Sequence, residues 1–393
     1  MILFLKPVSL NFFLDFCLDF FLAIYIPPLL KFALYYFIYV YIMELFYRHD
    51  TIKEKTRYCM EKISDILISW YQKNKRDLPW RENKNPYYIW VSEIMLQQTR
   101  VEAVKPYFKR FISTLPSIED LATIPEDTLL KLWEGLGYYS RVRNMQKAAQ
   151  MCVKEYEGKL PANYDALLLL PGIGPYTAGA IASIAFNASV CAIDGNVLRV
   201  YARLFAVEED ILQQKTKNKI QLLIEQDKAK NMGDMNQAIM DFGSSICISA
   251  NPRCNICPLT MHCQAYQEGK QIQLPIRKKA SKKKKEKYTV VIYTYKNKVL
   301  IHKRTSPGLL HGVYEFVTIE NHLTKKHFDT KAQYLGKYTH VFSHVEWHLK
   351  GYVVPVTDRF EKPDHIWVTR EQIKHSYSIP GAFKTYQEKA LGG

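Results

Sequence analysis

Four cysteines, Cys247, Cys254, Cys257 and Cys263, fall within 17 residues at the spacing C-x6-C-x2-C-x5-C. Thiols this dense can wrap one metal centre, and four soft sulfur donors suit an iron–sulfur cluster or zinc. A pair of disulfides or chance clustering is the alternative. Zinc sites usually draw on two C-x2-C knuckles; the single knuckle here favours a [4Fe–4S] cluster. Upstream, Glu93 stands in Ser92-Glu93-Ile94-Met95-Leu96. A carboxyl set among apolar neighbours is raised in pKa, because desolvation disfavours its charged form, so it can arrive protonated and act as a general acid. Asp194, in Ile193-Asp194-Gly195-Asn196-Val197, either caps the apolar helix that follows or takes part in chemistry. Between the two carboxylates lies Leu170-Pro171-Gly172-Ile173-Gly174-Pro175-Tyr176-Thr177. Gly172 and Gly174 permit a tight turn, and the N–H groups opening the next helix form an anion site suited to a DNA phosphate. A plain helix–helix turn is the other reading.

These groups need rigid carriers, and the sequence supplies helices. Apolar residues recur at helical period from about Thr51 to Phe205. Ile63, Ile66, Ile68, Trp70 and Tyr71 form one stripe. Asn85-Pro86 starts a helix over 87–98 that carries Glu93. Val101, Val104, Phe108 and Phe111 continue the period. Leu121, Leu129, Leu130, Leu132 and Trp133 mark a further helix stopped at Gly135-Leu136-Gly137. A small-residue helix follows the hairpin over 178–184, and a helix over 236–249 runs into the cysteines. Beyond a basic connector at 275–287 the period changes to two. Strands are expected at 288–295 and 299–303 around a Lys296-Asn297 turn, then at 351–356 and 365–368.

The chain has 393 residues, a formal net charge of +16 and 48% hydrophobic residues, enough for two or three globular domains. Charge of this size and sign favours a polyanionic partner, nucleic acid first and an anionic membrane surface second. The cysteines outside the cluster are scattered, which suits a reducing intracellular compartment. The first 50 residues differ in kind: apolar runs at 20–30 and 32–43 are split by Lys31, with Pro27 and Pro28 inside the first. Neither run reaches the roughly 20 residues needed to span a bilayer. The expectation is no membrane association, with 1–50 an apolar extension from a non-native start and Met43 or Met60 the true one; a membrane anchor is the alternative.

Taken together, these residues resemble the helix-hairpin-helix DNA glycosylases, and among them the adenine-specific MutY family. The resemblance runs from about Leu78 to the C-terminus, through Leu78-Pro79-Trp80-Arg81, residues 92–99, 135–139, 170–177 and 194–196, the four cysteines and Phe342-Ser343-His344. It implies a mainly α helix-hairpin-helix glycosylase core with a [4Fe–4S] loop (51–268), a basic linker (269–287) and a C-terminal α+β Nudix-like domain (288–393). The sister lyases of the endonuclease III type carry a Schiff-base lysine where this chain has Tyr176, and lack a glutamate at the position of Glu93. The resemblance therefore implies a monofunctional enzyme that removes adenine mispaired with 8-oxoguanine or guanine in double-stranded DNA. A bifunctional glycosylase/abasic-site lyase and an inactive DNA-binding protein are the alternatives. In the implied mechanism Glu93 protonates N7 of adenine, Asp194 stabilises the sugar cation, and Tyr176 and Asn196 position them. Gln98 and Tyr138 wedge the base stack; Arg81 and Gln237 contact the extruded adenine; Arg253 meets a phosphate beside the cluster. Phe342, Ser343 and His344 read 8-oxoguanine, the Ser343 hydroxyl accepting from its N7–H. No acidic Nudix box occurs in 314–331, so pyrophosphatase activity is not expected. The implied setting is a monomer in a bacterial-type cytoplasm, at the nucleoid, followed by abasic-site repair enzymes.

Overall fold

The computed structural model describes residues 62–278, 283–328 and 331–391. The apolar extension at 1–50 and both alternative starts lie outside them. Among the described residues no helix is long and apolar enough to cross a membrane.

Helix α1 (Ile63–Asn74) buries Ile66, Leu67 and Tyr71. Asn85 then caps α2 (Pro86–Leu96), its side chain accepting from the Tyr87 N–H, with Pro86 at the first turn where no donor is needed. Nearly every α2 residue from Tyr87 to Met95 is buried, so this helix is the central beam, and Glu93 goes inside with it. Helix α3 (Val101–Thr114) follows at the expected period. The single helix expected across 121–133 is two, α4 (Ile118–Thr123) and α5 (Glu126–Leu132). Pro125 separates them, because it has no N–H to continue the ladder, and a Ser117–Asp120 capping box fixes the start of α4.

Helices α6 (Ser140–Glu155), α7 (Tyr164–Leu168) and α8 (Pro175–Phe186) complete the first helical core with α2 to α5. The small residues of α8 let the chain approach closely. A Cβ on Gly179 would lie 2.4 Å from the Cys191 carbonyl oxygen. A second core gathers α1, α9 (Gly195–Leu204), α10 (Gln214–Gln226) and α11 (Met232–Ser245). Helix α11 begins four residues before the expected 236, because Asn231 caps it by accepting from the Asp234 N–H. Short α12 (Gln264–Gln267) closes the cysteine segment.

The C-terminal part is a mixed sheet. Its strands are β1 (Lys284–Tyr295), β2 (Lys298–Lys303), β3 (Tyr314–Glu315), β4 (Val317–Glu320), β5 (Gln333–Val341), β6 (Val345–Pro355) and β7 (His365–Thr369). The order is β3-β2-β1-β6-β5, with β4 also on β1 and β7 on β2. Only β1 and β6 run parallel, in register from Lys284 opposite Val345 to Thr294 opposite Pro355. Helices α13 (Arg370–Ser376) and α14 (Lys384–Leu391) cover one face, where Trp347, Phe383 and Tyr386 are buried.

The linker expected over 269–287 is corrected at both ends. Arg203 Nε donates to the Leu274 carbonyl at 2.9 Å and the Ile211 N–H to that of Ile276, so its first part packs on the helices. Its last four residues, 284–287, are already strand. The β6 edge satisfies their backbone, while Lys284, Lys285 and Lys287 keep their charges in water. Strand β6 likewise starts six residues before the expected 351.

Ile63–Gly393 form one compact unit, and polar contacts knit its helical and sheet parts. Lys131 Nζ donates to the Ile373 and Tyr377 carbonyls at 2.9 and 3.1 Å. The Ile379 N–H donates to Glu134 Oε1 at 2.7 Å. Lys303 meets Asp127 at 2.6 Å. Val313, from the sheet part, is buried in the first helical core.

Candidate active site

The cleft that carries the chemistry opens between the two helical cores. It encloses about 760 Å³, and its walls include Glu93, Tyr176, Asp194, Asn196, Arg81, Gln237 and Gln98. Seven of the residues singled out from sequence therefore converge from α2, α8, the α9 entrance, α11 and two loops.

Glu93 is 6% exposed. Burial pushes its carboxyl up to about 7; the Tyr176 hydrogen bond pulls the other way, and the charge of Asp194 adds to the rise. Tyr176 Oη donates to Glu93 Oε2 at 2.5 Å. Burial, with Glu93 beside it, raises the phenol well above its usual range, so Tyr176 stays a donor at neutral pH. Asp194 does cap α9, with Oδ1 accepting from the Asn196 and Val197 N–H groups at 2.9 and 2.8 Å. Its Oδ2 accepts from Asn196 Nδ2 at 2.7 Å. Burial raises Asp194, and these three donors oppose that rise. Capping and lining the cleft are thus compatible: the bonds that end the helix also aim the carboxylate. Asn196 is held in turn by Arg199 Nη2 at 2.7 Å.

Arg81 lines the cleft but is already engaged. Its two terminal nitrogens donate to the Asp241 carboxylate at 2.7 and 3.1 Å, and Arg76 holds the same carboxylate from the other side. Together the two guanidinium groups overcome burial and keep Asp241 below its usual range. Neither Asp241 nor Arg76 was singled out from sequence. The signal was there: a lone Asp in the apolar run Ile239-Met240-Asp241-Phe242 must find a cation if it is buried.

The hairpin presents Gly172 at φ +80° and Gly174 as the N-terminal cap of α8. A Cβ at 172 would also sit 2.7 Å from Asn144 Cβ. Gly172→Ala is expected to cost about 1–2 kcal/mol of stability for the left-handed backbone alone, and, by pushing the hairpin off Asn144 and turning an N–H away from the phosphate, to weaken duplex binding about tenfold. Fluorescence anisotropy with undamaged DNA measures this, and unchanged affinity would remove the hairpin from the interface.

The remaining residues fall elsewhere. Tyr138, 45% exposed, shares a second cleft with Phe342, at the seam between the helical and sheet parts. Ser343 and His344 stay exposed on the β5–β6 loop, Ser343 Oγ lying 3.2 Å from His344 Nδ1. Lys283 Nζ holds this loop through the Phe342 carbonyl at 2.7 Å.

Cys247, Cys254, Cys257 and Cys263 are free thiols lining one cavity, with Arg253 at its edge. Arg203 Nη1 lies 3.4 Å from Cys247 Sγ, a donor placed for a charged sulfur. Among the described residues no three ligating side chains close tightly around a single ion. Four soft, unpaired sulfurs around one cavity fit a metal–sulfur centre.

Helical cores flanking a glycine hairpin, with a buried glutamate and an aspartate across one cleft, define a helix-hairpin-helix base-excision DNA glycosylase. Residues 91–226 match the HhH-GPD superfamily of base excision DNA repair proteins, and 288–389 match the NUDIX domain. The adenine DNA glycosylase of Buchnera aphidicola subsp. Schizaphis graminum is 36% identical over 296 residues, 73% of this chain and 85% of the relative. That of Buchnera aphidicola subsp. Acyrthosiphon pisum is 35% identical over 325 residues, 79% and 93%. The Homo sapiens adenine DNA glycosylase is 32% identical over 410 residues, 83% and 74%. The chain belongs to the adenine DNA glycosylase family, enzymes of base excision repair.

Proposed function

We propose that this glycosylase hydrolyses the N-glycosidic bond of adenine paired with 8-oxoguanine, or with guanine, by a monofunctional route. The observation that carries the reading is the Glu93–Tyr176 pair. A carboxyl with a pKa of about 7 is half protonated at neutral pH, and a phenol rather than an amine stands beside it. Glu93 gives its proton to adenine N7. The C1′–N9 bond then breaks and its electron pair leaves with the base. Asp194 faces the positive charge that develops at C1′. Water adds there, and its proton returns to Glu93. Tyr176 fixes the Glu93 carboxyl, Asn196 fixes Asp194, and Arg81 and Gln237 border the space for the extruded base.

Phe342, Ser343 and His344 read the opposite base from the sheet domain. Phe342 lines the same cleft as Tyr138, which supports one duplex spanning both parts. A [4Fe–4S] cluster held by Cys247, Cys254, Cys257 and Cys263 would clamp the loop that presents Arg253. Four free sulfurs around one cavity support it. Because no lysine amine attacks the sugar, the product is an intact abasic site, and a strand-cutting activity must follow.

The test is single-turnover cleavage of a labelled duplex holding one 8-oxoguanine:adenine pair. Breaks at adenine only after alkali are expected. Breaks without alkali, trapped by borohydride, would establish lyase chemistry instead.

A further inference from the structure

The two residues assigned to the wedge, Gln98 and Tyr138, lie far apart in sequence but share an uncommon backbone. Their φ angles are +61° and +48°. Left-handed conformations are disfavoured for non-glycine residues, and they persist only where the surroundings enforce them. One side chain lies between the two loops. Arg141, on the first turn of α6, donates from Nη1 to the carbonyls of Ile94 and Gln97 at 2.5 and 2.8 Å. From Nη2 it donates to those of Leu136 and Gly137 at 3.1 and 3.2 Å.

Gln97 immediately precedes Gln98, and Gly137 immediately precedes Tyr138. The carbonyl of residue i−1 belongs to the peptide plane whose rotation sets φ of residue i. The guanidinium therefore holds both planes that must turn for either wedge residue to leave its strained conformation. Its carbon also lies 5.5 Å from the centre of the Tyr138 ring, and Trp133 Nε1 adds a bond to the Gly137 carbonyl at 3.1 Å. A rigid, planar fork can bind two loops at once; an ammonium on a flexible stem cannot. Burial lowers the Arg141 pKa only to about 10, so the group keeps its charge at neutral pH.

We propose that Arg141 is a positioning residue for base extrusion, locking Gln98 and Tyr138 into one wedge by fixing the peptide planes that precede them. The proposal rests on the wedge assignment of those two residues. It separates Arg141 from Glu93: loss of Arg141 hinders entry into the stack and spares the bond-breaking step.

Two duplexes with one 8-oxoguanine:adenine pair distinguish these steps. In the first the adenine has normal neighbours. In the second, stable abasic analogues flank it, so no stack has to be parted. Arg141→Lys and Arg141→Met are expected to slow single-turnover cleavage of the first roughly 100-fold, the usual cost of misplacing a positioned group by about 1 Å. On the second duplex both variants should cleave close to the unsubstituted rate, because an unstacked base costs little to extrude. The pH profile should keep its shape, since Glu93 is untouched. Equal loss on both duplexes would mean a general structural defect, and no loss on either would mean no role; each overturns the proposal. Arg141→Lys keeps charge and bulk and guards against misfolding of the Met variant. Tyr138→Ala and Gln98→Ala on the first duplex test the wedge separately. Full rates for both would overturn the wedge assignment, and this proposal with it.

Discussion

Glu93→Gln is expected to lower adenine release by about three orders of magnitude, within the usual span for a lost general acid, while duplex affinity stays near its original value. Glutamine keeps the shape and still accepts from Tyr176, but has no proton to give. In the unsubstituted enzyme the single-turnover rate should fall as pH rises through about 7, where the acid form is lost. Stability should move in the same sense. The folded pKa lies above the unfolded value of 4.5, so the native state binds more protons than the unfolded chain between them. The contribution is complete below 4.5 and lost as pH climbs through 7. Glutamine does not titrate, so Glu93→Gln should gain on the unsubstituted enzyme from pH 5 to pH 8, by up to about 3 kcal/mol. Melting curves at both pH values read the gain. An inactive variant no more stable at pH 8 would mean that Glu93 is not buried in its charged state; a variant with normal turnover would sink the acid assignment.

Arg203→Met should have the largest effect on stability. Arg203 is 1% exposed and donates to the carbonyls of Leu274, Ile248 and Ser249 at 2.9, 2.7 and 2.9 Å, as well as facing Cys247. Methionine fills much of the volume but leaves those acceptors unpaired. At about 1–3 kcal/mol for each buried group left without a partner, a loss of about 4 kcal/mol follows. That corresponds to a melting midpoint about 6 °C lower for a unit of this size. Where the four cysteines hold the proposed iron–sulfur cluster, iron content should fall with it, because the lost carbonyl bonds anchor the chain at Ile248 and Ser249 beside Cys247. A midpoint within a degree of the original would show that water replaces the guanidinium.

Chemistry was more legible in the sequence than its mounting. Glu93, Asp194 and the hairpin stand in short patterns whose residue types are themselves the signal, and the structure brings Glu93, Tyr176, Asp194 and Asn196 to one cleft. The cysteine spacing was as plain. Helices announced themselves where one face is apolar, as in α1 and α3. Strand β5 was missed because it is an edge whose burial alternates mostly between exposed and half-buried positions, so Val341 stands outside while His340 and Gly336 face inward and no apolar face is written into the residue types. The strand at 284–287 was hidden by its lysines, which describe the surface and say nothing of the backbone beneath. Arg141 was invisible for a related reason. In Ser140-Arg141-Val142-Arg143 it looks like any exposed helix cation, and its partners are main-chain carbonyls, which no residue type encodes.

That same anonymity has a consequence at the seam between the helical and sheet parts. Lys131 and Glu134 reach across to the Ile373 and Tyr377 carbonyls and to the Ile379 N–H, groups that every amino acid carries except for the missing N–H of proline. Inheritance should therefore treat the two banks unequally. Positions 373, 377 and 379 can drift in side chain so long as they pack and 379 does not become proline. A change at 131 removes both carbonyl bonds, and one at 134 removes the bond to the Ile379 N–H, whatever residue stands opposite. Harmful variants of this joint should accumulate on the glycosylase bank, and their best suppressors should arise there too.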